Sequence, residues 1–135
     1  MPSEANIMRL IQKAASKLGV RLFRNNIGIG WVGSARRITH HGLARVYPGD
    51  VIVHNARPLH AGLFEGSSDL IGWTPVGRSP RAIFTSVEVK TKSGRIKSTQ
   101  QDWIDTVAAQ GGISLVARSP DEAVEHLKKI IAAKE

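Results

Sequence analysis

Apolar residues at Ile7, Met8, Leu10, Ile11, Ala14, Ala15 and Leu18 recur with helical spacing and predict a helix over residues 3–18. Ser3 is its expected cap, Glu4 suits the positive end of the helix dipole, and Gly19 ends it. Val20–Arg24 reads as a short strand. From residue 25 to 66 the periodicity breaks up among Asn25, Asn26, Gly28, Gly30, Gly33, Pro48, Gly49, Pro58 and Gly62. Ala44–Tyr47 and Asp50–His54 are the β-favouring pieces there, so the pattern predicts a loop- and β-rich insertion at about residues 31–63.

Beyond Ser67 the pattern sharpens. Asp69–Trp73 reads as a strand, Thr74–Arg81 as a polar turn with two prolines, and Ala82–Thr91 as an alternating strand. Lys92–Lys97 is a basic loop, and Ser98 or Thr99 is the expected cap of a second helix ending near Gln110. Ile113–Arg118 is a continuous apolar strand, and Ser119-Pro120-Asp121-Glu122 opens a last helix. The order α, β, β-rich insertion, β, β, α, β, α predicts one α/β (α+β) domain with a mixed sheet between helices.

Composition narrows the function classes. Apolar residues make up 41% and charged residues 22% of 135, which excludes a mainly disordered chain. No run approaches the ~18 apolar residues of a membrane span, so no membrane partner is expected. The absence of cysteine excludes disulfide scaffolds and thiol catalysis, and with no basic-then-apolar leader it points to the cytoplasm. A net charge of +8 points to a polyanionic partner, nucleic acid first.

Four places hold polar residues where periodicity predicts a buried or sheet-facing position. In Ala82–Thr91, alternation sets Ile83, Val87 and Val89 on one face and Phe84, Ser86, Glu88 and Lys90 on the other, with Glu88 and Lys90 about 6–7 Å apart. Asp69 follows the flexible Gly66-Ser67-Ser68 and can aim a carboxylate beside the sheet. Glu4 lies within about 20° of Ile11 around the first helix, in line with its apolar stripe. Gln100 shares a helix face with Trp103 and Ile104. Taken together, Asp69, Glu88 and Lys90 suit hydrolysis of a phosphodiester around Mg²⁺ or Mn²⁺. Carboxylates are hard oxygen ligands, and a lysine orients water or neutralises developing charge. Glu4 is a further candidate ligand, and Gln100 a candidate for placing water or phosphate.

This ordered set resembles the PD-(D/E)XK nuclease superfamily, and within it the VRR-NUC (virus-type replication-repair nuclease) family. The supporting text is Phe23–Gly28, Gly66–Leu70, Val87–Thr91 with Gly94-Arg95, Gln100-x-x-Trp103, Gly111-Gly112 and Val116–Ser119. Ser68 stands where the family carries Pro before its acidic ligand, and Lys97 where many relatives have a small hydroxyl residue. The resemblance implies an αβββαβ core, metal-dependent DNA cleavage, and a short stand-alone form that dimerises and acts on branched, Holliday-junction-like DNA.

Other residues carry weaker chemistry. Arg24, Asn26, Lys92, Arg95 and Lys97 are candidate DNA contacts, with Arg36, Arg37, Arg78 and Arg81 as further basic groups. His40, His41, His54 and His60 suggest an HNH-type nuclease, but that motif needs a helix after His60 that the periodicity does not supply. Trp31 and Trp73 are candidates for stacking on an opened base or filling a dimer interface, whereas Trp103 reads as core. A non-catalytic DNA-binding module and a sequence-specific restriction-type nuclease are the alternative readings.

Overall fold

The computed structural model describes residues 2–33 and 37–135, so Arg36 lies outside the described residues. Two compact units emerge: residues 1–26 with 63–135, and residues 27–62.

The larger unit begins with α1 (Glu4–Ser16), where Ser3 Oγ accepts the Asn6 N–H at 3.2 Å. Gly19, at φ +81°, turns the chain out of the helix into β1 (Arg21–Arg24). The segment 27–62 carries β2 (Gly28–Val32) and β3 (Arg57–Ala61). Next come β4 (Leu70–Val76), β5 (Arg81–Val89), α2 (Ser98–Ala109), β6 (Ile113–Ala117) and α3 (Pro120–Lys134). The central sheet runs β1-β4-β5-β6, antiparallel except for the parallel β5–β6 pair. Within the larger unit this is the αβββαβ order expected, with α3 added.

Alternation along the strands divides the sheet into two unlike faces. Leu22, Leu70, Val87, Val89, Ile113, Leu115 and Ala117 meet Ile7, Met8, Ile11 and Ala15 of α1 and Ala123 and Leu127 of α3 in one core. That core holds no aromatic ring. The opposite face carries Phe23, Trp73, Phe84, Ser86 and Glu88, by the register of β1, β4 and β5. Part of it lies under α2, whose Trp103 Nε1–H donates to Ser86 Oγ at 3.1 Å. Trp103 is therefore half-buried on this face rather than part of the aliphatic core.

Several local expectations are corrected. β4 continues through Thr74 and Pro75 to Val76, and the turn is confined to 77–80. The β1 ladder stops at Trp73, so beyond it β4 has one neighbour, and a proline without N–H is tolerated on such an edge. The N-cap of α2 is Lys97, not Ser98 or Thr99.

In the smaller unit neither Ala44–Tyr47 nor Asp50–His54 forms a strand beyond an isolated bridge at Val53. The antiparallel pair is instead β2–β3, from Gly28↔Ala61 to Val32↔Arg57. Every residue of both strands is exposed, so neither shows the alternation by which a half-buried strand is read from sequence. Asp50 Oδ2 accepts the Tyr47 N–H and closes a turn, and the Arg37 guanidinium lies 5.3 Å from the centre of the Trp31 ring.

Candidate active site

The β4–β5 register creates the site. Leu70 pairs with Val87, and one residue past the ladder the same register sets Asp69 opposite Glu88. The Val89 N–H donates to Asp69 Oδ2 at 2.8 Å, which fixes that carboxylate against β5. Glu88 is only 1% exposed. Lys90, two residues on, is also buried and brings Nζ to 3.2 Å from Glu88 Oε1. Gln100 Nε2 donates to the same Oε1 at 2.6 Å, while its Oε1 accepts the Lys97 N–H at 2.9 Å. The Gln100 amide is thus engaged at both ends, tying the start of α2 to Glu88. It positions a carboxylate directly rather than facing solvent.

Two acids face each other here. Glu88 is pushed up from 4.5 to about 7, first by burial and then by the Asp69 charge. Lys90 opposes the rise through its hydrogen bond and its charge without cancelling it. Among the described residues no N–H donates to Asp69 Oδ1 or Glu88 Oε2. The pair therefore offers two hard oxygen donors with excess negative charge, a donor set suited to a hard divalent cation.

The turn before Asp69 is held from several sides. Gly66 sits at φ +95°, and a Cβ there would lie 2.6 Å from the Thr99 carbonyl oxygen, so only glycine lets the turn lie this close to α2. Asn25, buried, donates from Nδ2 to Ser67 Oγ at 2.8 Å and to the Ser68 carbonyl at 2.9 Å. Its Oδ1 accepts the Leu63 N–H at 3.1 Å, and its own N–H donates to the Asp69 carbonyl at 2.8 Å. Asn25 thus fastens the end of β1 to the whole 63–69 turn. The sequence reads Arg24, Asn25 and Asn26 as phosphate contacts or a turn; the structure buries Asn25 in this network and leaves Arg24 and Asn26 exposed. A second undetected residue is Arg118, whose Nη1 donates to the Thr91 and Gly94 carbonyls, each at 2.7 Å. It pins the basic loop that carries the exposed Lys92, Arg95 and Lys97.

The structure does not bring Glu4 into this group. Glu4 is exposed in the first turn of α1, and no three His, Asp or Glu side chains gather among the described residues. Its angle around the helix agrees with the buried stripe, but burial begins at Ile7, so the first turn lies beyond the packed length. His40, His41, His54 and His60 are all exposed and belong to no such group among the described residues. No helix among the described residues is long and apolar enough to cross a membrane.

The sequence profile of the VRR-NUC domain matches residues 52–121, just over half the chain. The matched stretch contains Asp69, Glu88, Lys90 and Gln100, and leaves out α1 with Glu4. No functionally curated protein matches the chain.

Proposed function

The chain belongs to the VRR-NUC domain family, a nuclease-type domain with DNA as its substrate, and from that premise we propose a divalent-metal-dependent endonuclease acting on branched DNA. The observation that carries this reading is the pairing of half-buried Asp69 with buried Glu88, which is bridged to Lys90 and Gln100. Asp69 and Glu88 would hold Mg²⁺ or Mn²⁺, without Glu4. Bound there, the cation supplies Lewis-acid polarisation of the scissile phosphate and a lower pKa for the attacking water.

The chain's own groups do the rest. Lys90 keeps a positive charge at the carboxylate pair, where it orients water by hydrogen bonding and offsets charge developing on the phosphate oxygens. Gln100 holds Glu88 Oε1, so the carboxylate presents its second oxygen in a fixed direction. Lys92, Arg95 and Lys97 bind phosphates of the flanking backbone, and Arg24 and Asn26 extend that contact. A homodimer with two such sites suits paired cuts at a junction; the net charge of +8 supports a polyanionic substrate, and the absence of cysteine supports action in the cytoplasm.

The test is cleavage of an end-labelled four-way junction, a flap, a single strand and a plain duplex of matched sequence, with Mg²⁺, Mn²⁺ or EDTA. Metal-dependent cutting of the junction in preference to duplex is expected. Tight binding with no cutting under any metal would favour a non-catalytic DNA-binding module. Cutting of duplex at one selected sequence would favour a restriction-type enzyme.

A further inference from the structure

The aromatic residues of the larger unit stand outside its core. The whole chain has seven Phe, Trp and Tyr residues, and five of them form one ribbon across the sheet face that carries Glu88. Phe23 and Trp73 have ring centres 5.5 Å apart, and Trp73 pairs with Phe84 across β4–β5. Phe84 then meets Trp103 at 6.2 Å, and Trp103 meets Phe64 at 5.2 Å. Four of the five rings are open: Phe64, beside α2, is 57% exposed, Phe23 at the other end is 53% exposed, and Trp73 and Phe84 are each 42% exposed. Leaving large rings in water while the core is wholly aliphatic forgoes a main source of folding energy.

We propose that Phe23, Trp73 and Phe84 form a stacking platform for unpaired bases of the DNA strand that enters the active site. The inference rests on the nuclease reading above and adds its substrate class: DNA with unstacked bases next to the scissile bond. Three observations carry it. Rings on a flat sheet face accept any base by its π-face. Arg21, exposed and directly opposite Trp73 in the β1–β4 register, and the exposed Arg24 at the end of β1 supply charge for the backbone of such a strand. Phe84 and Glu88 lie on the same face of β5, four residues or about 13 Å apart, with Ser86 and the Trp103 that covers it between them, so the rings stand within a few nucleotides of the site around the edge of α2.

A second copy of the chain fits this face less well. With Phe64, the four open rings expose roughly 400 Å² together, taking about 150–250 Å² as the area of each ring side chain. A standard protein interface covers about 800 Å² on each partner. Several stacked bases need no more than the rings provide.

The experiment compares, in EDTA so that nothing is cut, the binding of a short oligothymidylate with that of an abasic oligomer of equal length. Fluorescence anisotropy is read for the wild type and for Phe23→Leu and Trp73→Leu. Leucine keeps an apolar side chain and removes the ring, and the two substitutions on different strands guard against one variant failing to fold. The wild type is expected to bind the base-bearing strand about tenfold more tightly than the abasic one, and each variant to show about twofold or less, with abasic binding unchanged. Equal binding of both strands by the wild type would overturn the platform, as would an undiminished preference in both folded variants. Concentration-dependent dimers dissolved by Trp73→Leu, without base preference, would assign the face to a second copy and overturn it too. Base preference in a protein that cuts nothing with metal would leave the platform standing and remove the nuclease reading. Metal-dependent cutting with base-blind binding would remove the platform alone.

Discussion

The ionisation of Glu88 sets up a stability change whose sign and size follow from the site. In the unfolded chain its carboxyl titrates near 4.5, and in the metal-free fold at about 7. Between those values the folded state binds more protons than the unfolded one, so stability falls as pH rises. The contribution is fully present below about 4.5 and is lost as pH passes about 7. From about pH 5 to about pH 8 the loss is about 2 kcal/mol, at about 1.4 kcal/mol for each tenfold difference in proton affinity. The rest of the molecule titrates as well, so the reference is Glu88→Gln. Its amide oxygen accepts from Lys90 and Gln100 as the carboxylate does, and it carries no proton equilibrium. Urea unfolding of both proteins in EDTA, at about pH 5 and about pH 8, isolates the term. Wild type should lose about 2 kcal/mol relative to Glu88→Gln across that interval. Parallel pH dependences, or a wild type that gains on the variant as pH rises, would show that Glu88 is not held protonated in the fold. Adding Mg²⁺ or Mn²⁺ at about pH 8 should restore stability to wild type alone, because the ion takes only the ionised carboxylate.

Three substitutions probe the supports of the site. Asn25→Ala removes three side-chain hydrogen bonds to the 63–69 turn, and a loss of about 3 kcal/mol is expected in chemical denaturation, with reduced cleavage as Asp69 loosens. Ser68→Ala should stabilise the protein by about 1 kcal/mol in the same assay, since the Ser68 hydroxyl is fully buried and finds no partner among the described residues. Gln100→Leu should weaken metal affinity or cleavage about 10–100-fold, with the fold intact by circular dichroism, because Glu88 loses the donor that orients it.

The parts of the molecule legible in the sequence are those built by short periods. Alternation over Ala82–Thr91 separated Val87 and Val89 from Glu88 and Lys90, and the structure places the first pair in the core and the second pair on the opposite face. Ser119 and Pro120 announced α3, and Ser119 Oγ accepts the Glu122 N–H as such a cap should. What escaped depends on contacts between distant segments. Asn25 acts through residues about forty positions away, and an isolated asparagine among turn residues carries no mark of that. Arg118 likewise reaches back to Thr91 and Gly94. Pro75 misled because its strand is an edge at that point, which only the β1 register reveals. Helical angle gives the direction of the Glu4 side chain but not how far along its axis a helix is packed, and the structure leaves Glu4 exposed in the first turn, outside the group around Glu88. The aromatic ribbon was visible only as separate rings until the register of β1, β4 and β5 joined them.

If Asp69, Glu88 and Lys90 form the active site, cutting depends on both a divalent cation and these side chains. The direct measurement is single-turnover cleavage of a labelled four-way junction by wild type, Asp69→Asn and Lys90→Ala, with Mg²⁺ and with EDTA, binding being read in the same samples. Wild type should cut in Mg²⁺ alone, and both variants should lose at least about a hundredfold while junction binding is retained. Cutting that survives EDTA, or that persists undiminished in Asp69→Asn, would contradict that assignment.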